Sequence, residues 1–271
     1  MFGSSRESLA ALRTSLQGRH SDPQLGAVAG ELLAVAAVLS AEKALRVSLA
    51  DAGTAAGSRL AIAHSVFGSK VSDTALAIVN EAIAVRWSHD ADLVSAVETL
   101  GVQAACIAAQ AAGSLDTVEE EVFMFGRAVA ASSQLQMALT DPALPAVAKA
   151  DIVAKLLTGK STHSVTQQLL THTVGNLRGA RIDAAVEALL AVAADQRQRL
   201  VAQVTTAVAL TDSQMARLRT ALATITGRDI NVNVVVDRAV LGGIQVRIGD
   251  DLIDGTVASR LEAASRSLKS E

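Results

Sequence analysis

The apolar residues of this chain recur at one period up to about residue 200 and at another beyond it, so a single uniform architecture cannot use both. Val28, Leu32, Val35 and Leu39 share one helical face, as do Ile182, Val186, Leu189 and Ala193. Stripes of that spacing bury against a core. The prolines, Pro23, Pro142 and Pro145, fall in connectors between such stripes. Further on the period becomes two. Ala202, Val204, Thr206 and Val208 alternate with Gln203, Thr205 and Ala207, and Val232, Val234 and Val236 alternate with Asn231, Asn233 and Val235. Between these strands Thr211 or Asp212 is placed to cap a helix whose stripe is Met215, Leu218, Leu222 and Ile225, ended by Gly227.

The stretch from Asp237 to Leu261, DRAVLGGIQVRIGDDLIDGTVASRL, can be parsed turn by turn. Gly242 and Gly243 stand where the backbone must turn or be approached closely. Ile244, Val246 and Ile248 then fall on one face of a strand, and Gly249, Asp250 and Asp251 break the run. Leu252 and Ile253 resume it before Asp254, Gly255 and Thr256 lead into a helix through Val257, Leu261 and Leu268. The segment is a hairpin delivering the chain into a closing helix. The fold expected is therefore mostly α with a small α+β domain: an N-terminal helical bundle followed by a C-terminal β-α-β-β-α domain.

The helical part repeats itself at a period of about ninety residues. Glu31 aligns with Glu121, and Leu45, Val47, Leu49 and Asp51 align with Leu135, Met137, Leu139 and Asp141. Arg59 and Ile62 correspond to Lys149 and Ile152; after a slip of one residue, Leu93, Val97, Glu98 and Leu100 match Ile182, Val186, Glu187 and Leu189. Coincidence in an alanine-rich chain is the other explanation. Read as a duplication, the pattern divides the chain into bundles over 1–105 and 106–199 and a C-terminal domain over 200–271.

Chemistry is scarce. The 24 basic and 27 acidic residues give a formal charge of -3 without a basic stripe, and aromatics are 2% of a chain that has no tyrosine. Neither the electrostatic footprint nor the stacking platforms of a nucleic-acid binder can be assembled. Cys106, the single cysteine, sits among alanines and reads as a small buried hydrophobe. The N-terminus lacks the apolar core of a signal peptide, and the apolar runs fall short of the roughly 20 residues of a membrane span. The five histidines have no metal-ligand spacing and default to surface or capping roles. Glu119, Glu120 and Glu121 read as a helix start. Gly159-Lys160-Ser161 resembles the end of a phosphate loop, but Ala154 stands where the first glycine belongs and DIVAKLL reads as helix. Asp250, Asp251 and Asp254 lack the full spacing of a calcium loop, which leaves them as turn and cap carboxylates. No catalytic, cofactor or metal residue is assigned.

From Val201 onward, through VTTAVALTDSQMARLRTAL, TGRDINVNVVVD and LGGIQVRIGDDLIDGTVASRL, the chain resembles the delta subunit of F-type ATP synthases, the bacterial relative of the mitochondrial oligomycin-sensitivity-conferring protein. The specific part is Gly242, Gly243, Ile248, Gly249, Asp250, Ile253, Asp254, Gly255, Arg260 and Leu261. Arg238-Ala239, where a proline often follows the aspartate, and Thr256, where serine is common, depart from the pattern. The resemblance implies a non-catalytic stator. Its helical bundle would bind amphipathic N-terminal helices of the alpha subunits, and its C-terminal domain the end of the peripheral-stalk b subunit. The location implied is the cytoplasmic face of the cell membrane, peripheral and without direct insertion. This chain carries one extra bundle's worth of residues, as the long actinobacterial form does. The second bundle, contiguous with the C-terminal motif, is then expected to be the alpha-binding one. A helical adaptor outside the synthase, or a nucleotide-using enzyme around Gly159 to Ser161, are the readings from other classes.

Overall fold

The computed structural model describes residues 3–157, 162–198, 201–208, 210–226, 231–237, 242–248 and 251–255. Eleven helices come first: α1 (Ser4–Gly18), α2 (Leu25–Ala41), α3 (Lys43–Ala50), α4 (Ala56–Phe67), α5 (Asp73–Ala84), α6 (Asp90–Ala111), α7 (Leu115–Ala130), α8 (Ser133–Thr140), α9 (Ala146–Leu157), α10 (Ser164–Gly175) and α11 (Ile182–Gln198). There follow β1 (Val201–Thr206), α12 (Asp212–Thr226), β2 (Asn231–Val236), β3 (Ile244–Ile248) and β4 (Asp251–Asp254). The chain is mostly helical, with a small four-stranded mixed sheet. It divides into two compact units, Met1–Ala194 and Asp195–Glu271.

In the first unit, α2 and α6 are apolar nearly all round, as a helix must be when neighbours cover it on every side. Val28, Leu32, Ala36 and Leu39 of α2 and Leu93, Val97, Leu100 and Ala104 of α6 are wholly buried. The two axes come close at Gly101, where a Cβ would stand 2.9 Å from Leu33 Cδ2 and 3.3 Å from the Ala29 carbonyl oxygen. Glycine is required there by contact. Around this pair pack α1, α3, α5, α7 and α10. Residues 105 and 106, between which the repeat places a boundary, therefore lie inside one continuous helix. By length and hydropathy α6 is also the one described helix that could cross a membrane, contrary to the expectation of runs too short for it. Its flanks explain the composition otherwise, because 67% of its apolar window is buried against other helices.

Two runs of elements have equal lengths: α3, α4 and α5 contain 8, 12 and 12 residues, and α8, α9 and α10 the same. Caps fix several boundaries. Ser72 Oγ accepts from the Ala75 amide at 3.2 Å, Ser132 Oγ from Leu135 at 3.3 Å, and His163 Nδ1 from Val165 at 3.3 Å.

In the second unit the strand order is β2-β1-β3-β4, with β1 and β2 parallel and the other pairs antiparallel. The crossover between the parallel strands is α12, as such a pair requires. Thr211 caps it reciprocally: the Gln214 amide donates to Thr211 Oγ1 at 3.4 Å while the Thr211 amide donates to Gln214 Oε1 at 2.9 Å. Ala202, Val204, Leu222 and Val246 form the core, flanked by Leu218, Val232, Val234, Ile244 and Ile248. The apolar patterns run past their burial at three points. Val208 is 69% exposed because β1 ends at Thr206, whose hydroxyl donates to the Val208 carbonyl oxygen at 2.6 Å in the turn that follows. Val236 and Ile225, at the ends of their elements, are 50% and 68% exposed. The expected closing helix through Val257, Leu261 and Leu268, and Gly227, lie outside the described residues.

Candidate functional site

In the hairpin, the glycine pair has the backbone that the sequence asks for: φ is 136° at Gly242 and 84° at Gly243. Side chains rarely adopt either conformation. β3 and β4 then pair with Val246 opposite Ile253, Gln245 opposite Asp254 and Ile248 opposite Asp251. The Gly255 amide closes the ladder on the Ile244 carbonyl oxygen at 3.0 Å, and a Cβ on Gly255 would stand 3.1 Å from the same oxygen. Gly242, Gly243, Ile248, Ile253, Asp254 and Gly255 are thus brought together by folding. Gly249, Asp250, Arg260 and Leu261 lie outside the described residues, as do Gly159, Lys160 and Ser161. The segment before that last trio is helix α9. Among the described residues no group of three or more His, Cys, Asp or Glu side chains could hold a metal ion.

The helical unit contains pairs of side chains in matching positions. Glu31 on α2 accepts from the Ser72 amide at 3.0 Å and the Ser72 hydroxyl at 2.5 Å. Glu121 on α7 accepts from the His163 amide at 3.1 Å with each oxygen, and from the Thr166 hydroxyl. Each carboxylate meets the amide end of another helix, α5 or α10, where negative charge is favoured. Glu119 to Glu121 are therefore not at a helix start. They lie inside α7, which begins at Leu115.

Arg46 and Gln136 form a second matched pair that sequence reasoning passed over. Arg46 Nη1 donates to the Leu39 and Ser40 carbonyl oxygens at 3.1 and 3.0 Å, and Gln136 Nε2 to those of Val129 and Ala130 at 3.2 Å each. The repeat spacing could have found them. Only the arginine reaches further, donating from Nε to Asp90 Oδ2 at 2.7 Å. That bond holds the Asp90 carboxyl below the usual range.

The outer faces of α2 and α7 differ in what covers them. α10 packs on both α2 and α6. A Cβ at Gly30 would fall 2.5 Å from Gln168 Nε2, and His172 Nε2 lies 3.1 Å from Glu98 Oε1. Arg178 pairs with the other oxygen of Glu98. Burial pushes the Glu98 carboxyl up, but the hydrogen bonds from His172 and Arg178 outweigh it and hold the group below its ordinary value. His172 is only 10% exposed, so the surface or capping default fails for it.

Helix α7, which α10 also touches, leaves large apolar side chains exposed. Leu33 is 3% exposed, whereas Phe123, about ninety residues later, is 50% exposed, with Met124 and Met137 also exposed. Between α7, α8 and α11 opens a cavity of about 400 Å³ lined by Gly126, Val129, Met137, Ile182 and Val186 among others. At its floor a Cβ on Gly126 would meet Val186 Cγ1 at 2.9 Å. A grouped apolar surface of this kind marks an interaction site. It offers shape and apolar area, and its lining also holds Ser133, Gln136, Thr140 and the Arg181–Asp183 ion pair.

The family model described as ATP synthase delta (OSCP) subunit matches residues 102–268. The chain is 42% identical over 278 residues to the ATP synthase subunit delta of Parafrankia sp., covering 99% of both chains. It is 43% identical over 270 residues to that of Streptomyces avermitilis, covering 99% of this chain and 98% of the relative. With the Nocardia farcinica protein of the same name it shares 42% identity over 272 residues, covering 99% and 100%.

Proposed function

The chain belongs to the ATP synthase delta (OSCP) subunit family, and from that premise we propose how its parts divide the work of a stator. It is a structural, non-catalytic subunit of the membrane-bound F-type ATP synthase, linking the catalytic head to the peripheral stalk against the turning of the rotor. In our reading the helical unit is a duplicated bundle, and its second copy takes an amphipathic N-terminal helix of an alpha subunit between α7 and α11. The C-terminal domain takes the end of the b subunit. Within the complex the subunit lies at the cytoplasmic face of the membrane, peripherally.

One observation carries the choice of copy. On α2 and α6, α10 packs from within the chain, while α7, α8 and α11 leave an open cavity of apolar and polar side chains, with Phe123 and Met124 exposed on α7. The duplication is supported by the equal helix lengths and by the matched bonds of Glu31 with Glu121 and Arg46 with Gln136. The family model begins only at residue 102, which fits an added first copy. Two attachments on one chain raise the effective concentration of the second, so a torque-bearing link holds although each contact is weaker alone. Photo-crosslinkers placed at Phe123 and at Val38, followed by recovery of the alpha subunit from the assembled synthase, test the assignment. Crosslinks from Phe123 are expected, and crosslinks confined to Val38 would reverse it.

A further inference from the structure

We propose that Glu187 on α11 is the carboxylate that holds a basic side chain of the helix docked between α7 and α11, and that α10 seated on α2 and α6 is the template for that contact. The proposal rests on the helix-receiving role given to α7 and α11 above.

Glu98 and Glu187 stand at the same spacing from buried anchors on their helices. Leu93, Val97 and Leu100 are buried around the first, and Ile182, Val186 and Leu189, at the same spacing, around the second. Equal core anchors turn both carboxylates outward at the same angle from the core. Glu98 is met there by an imidazole and a guanidinium: His172 from α10, and Arg178 from the connector that follows it. Glu187 is exposed and has no ion-pair partner among the described residues. The cation nearest in sequence, Arg181, is engaged by Asp183, with Nε at 3.0 Å from Oδ1 and Nη2 at 2.5 Å from Oδ2. That pairing neutralises Asp183, while Glu187, whose charge Arg181 also feels, holds no ion pair of its own among the described residues and follows Val186 of the cavity lining on α11. An amphipathic helix laying apolar residues against Phe123 and Val186, with an arginine or lysine at its flank, would repeat outside the chain what α10 does inside it. Partly desolvated by the docked helix, such a pair fixes register as well as affinity.

The test is calorimetric titration of the full chain with a synthetic peptide of the alpha subunit's N-terminal segment from the same organism. Glu187→Lys should weaken binding about tenfold and Glu187→Gln about threefold, with both effects shrinking as salt rises. A peptide whose groove-side basic residue is replaced by glutamate should bind the Glu187→Lys chain better than the native one. Unchanged affinity of Glu187→Lys at low salt, with Phe123→Glu abolishing binding, would overturn the role of Glu187 and leave the docking face standing. A native chain that binds no peptide would overturn the docking face and this contact with it.

Discussion

Glu31 ties α2 to α5 through Ser72, accepting both the amide at 3.0 Å and the hydroxyl at 2.5 Å of the residue that caps α5. The cap hydroxyl is itself fixed while it accepts from Ala75. Glu31→Ala leaves the amide and the hydroxyl to find water, at an expected cost of about 1–2 kcal/mol. Glu31→Gln should cost less, since the amide oxygen still accepts. Urea unfolding followed by the fluorescence of Trp87, the single tryptophan, measures both.

Arg59 is 5% exposed and donates from Nη1 to the Ile83 carbonyl oxygen at 2.6 Å, at the C-terminal end of α5 where a cation is favoured. Arg59→Met keeps most of the volume and removes the donor, so a loss of about 2–3 kcal/mol is expected. Arg59→Lys should lose less. The matching position already holds a buried lysine, Lys149, at 7% exposure.

Stability of the helical unit should fall in acid through Glu98. Its carboxyl is held below the ordinary value of 4.5, so the contribution is complete above that value and is lost as pH falls through the lower folded value. Urea midpoints of the native chain and of Glu98→Gln, taken at steps from neutral to acid pH, should converge as the pH drops. A gap that stays constant contradicts the assignment.

Gly243→Val forces a β-branched side chain onto a φ of 84° and should cost about 1–3 kcal/mol in the C-terminal domain. Binding of the b subunit, read by pull-down from stalk-containing membranes, should weaken. ATP hydrolysis by the isolated head should be untouched, because this chain supplies no catalytic group.

Cys106 is buried on α6, and burial pushes its thiol up to about 12. At neutral pH it should resist maleimide in the folded chain and react within minutes in urea. Fast labelling without denaturant would mean that α6 opens.

Much of this was legible in the residues. The period-two stretches at Ala202 to Thr206 and Ile244 to Ile248 became strands, Thr211 proved the cap, and Gly242 and Gly243 have positive φ. These are local effects, decided within a few residues. What escaped depended on distant partners. His172 is a partner of Glu98, 74 residues away, and Arg46 reaches Asp90 across 44. Nor does periodicity say which apolar residue is covered: Leu33 and Phe123 read alike, yet Leu33 is buried against Gly101 of α6 while Phe123 is exposed.

The continuity of α6 has a mechanical meaning. Its 22 residues make a rod about 33 Å long. Helices before it and helices after it both pack on that rod. A twisting load applied to the later helices is therefore passed to the earlier ones through bending and torsion of a hydrogen-bonded helix, which is stiff, rather than through the slack of a loop. In a part whose task is to hold still, one continuous helix adds rigidity in series with the grip instead of another joint.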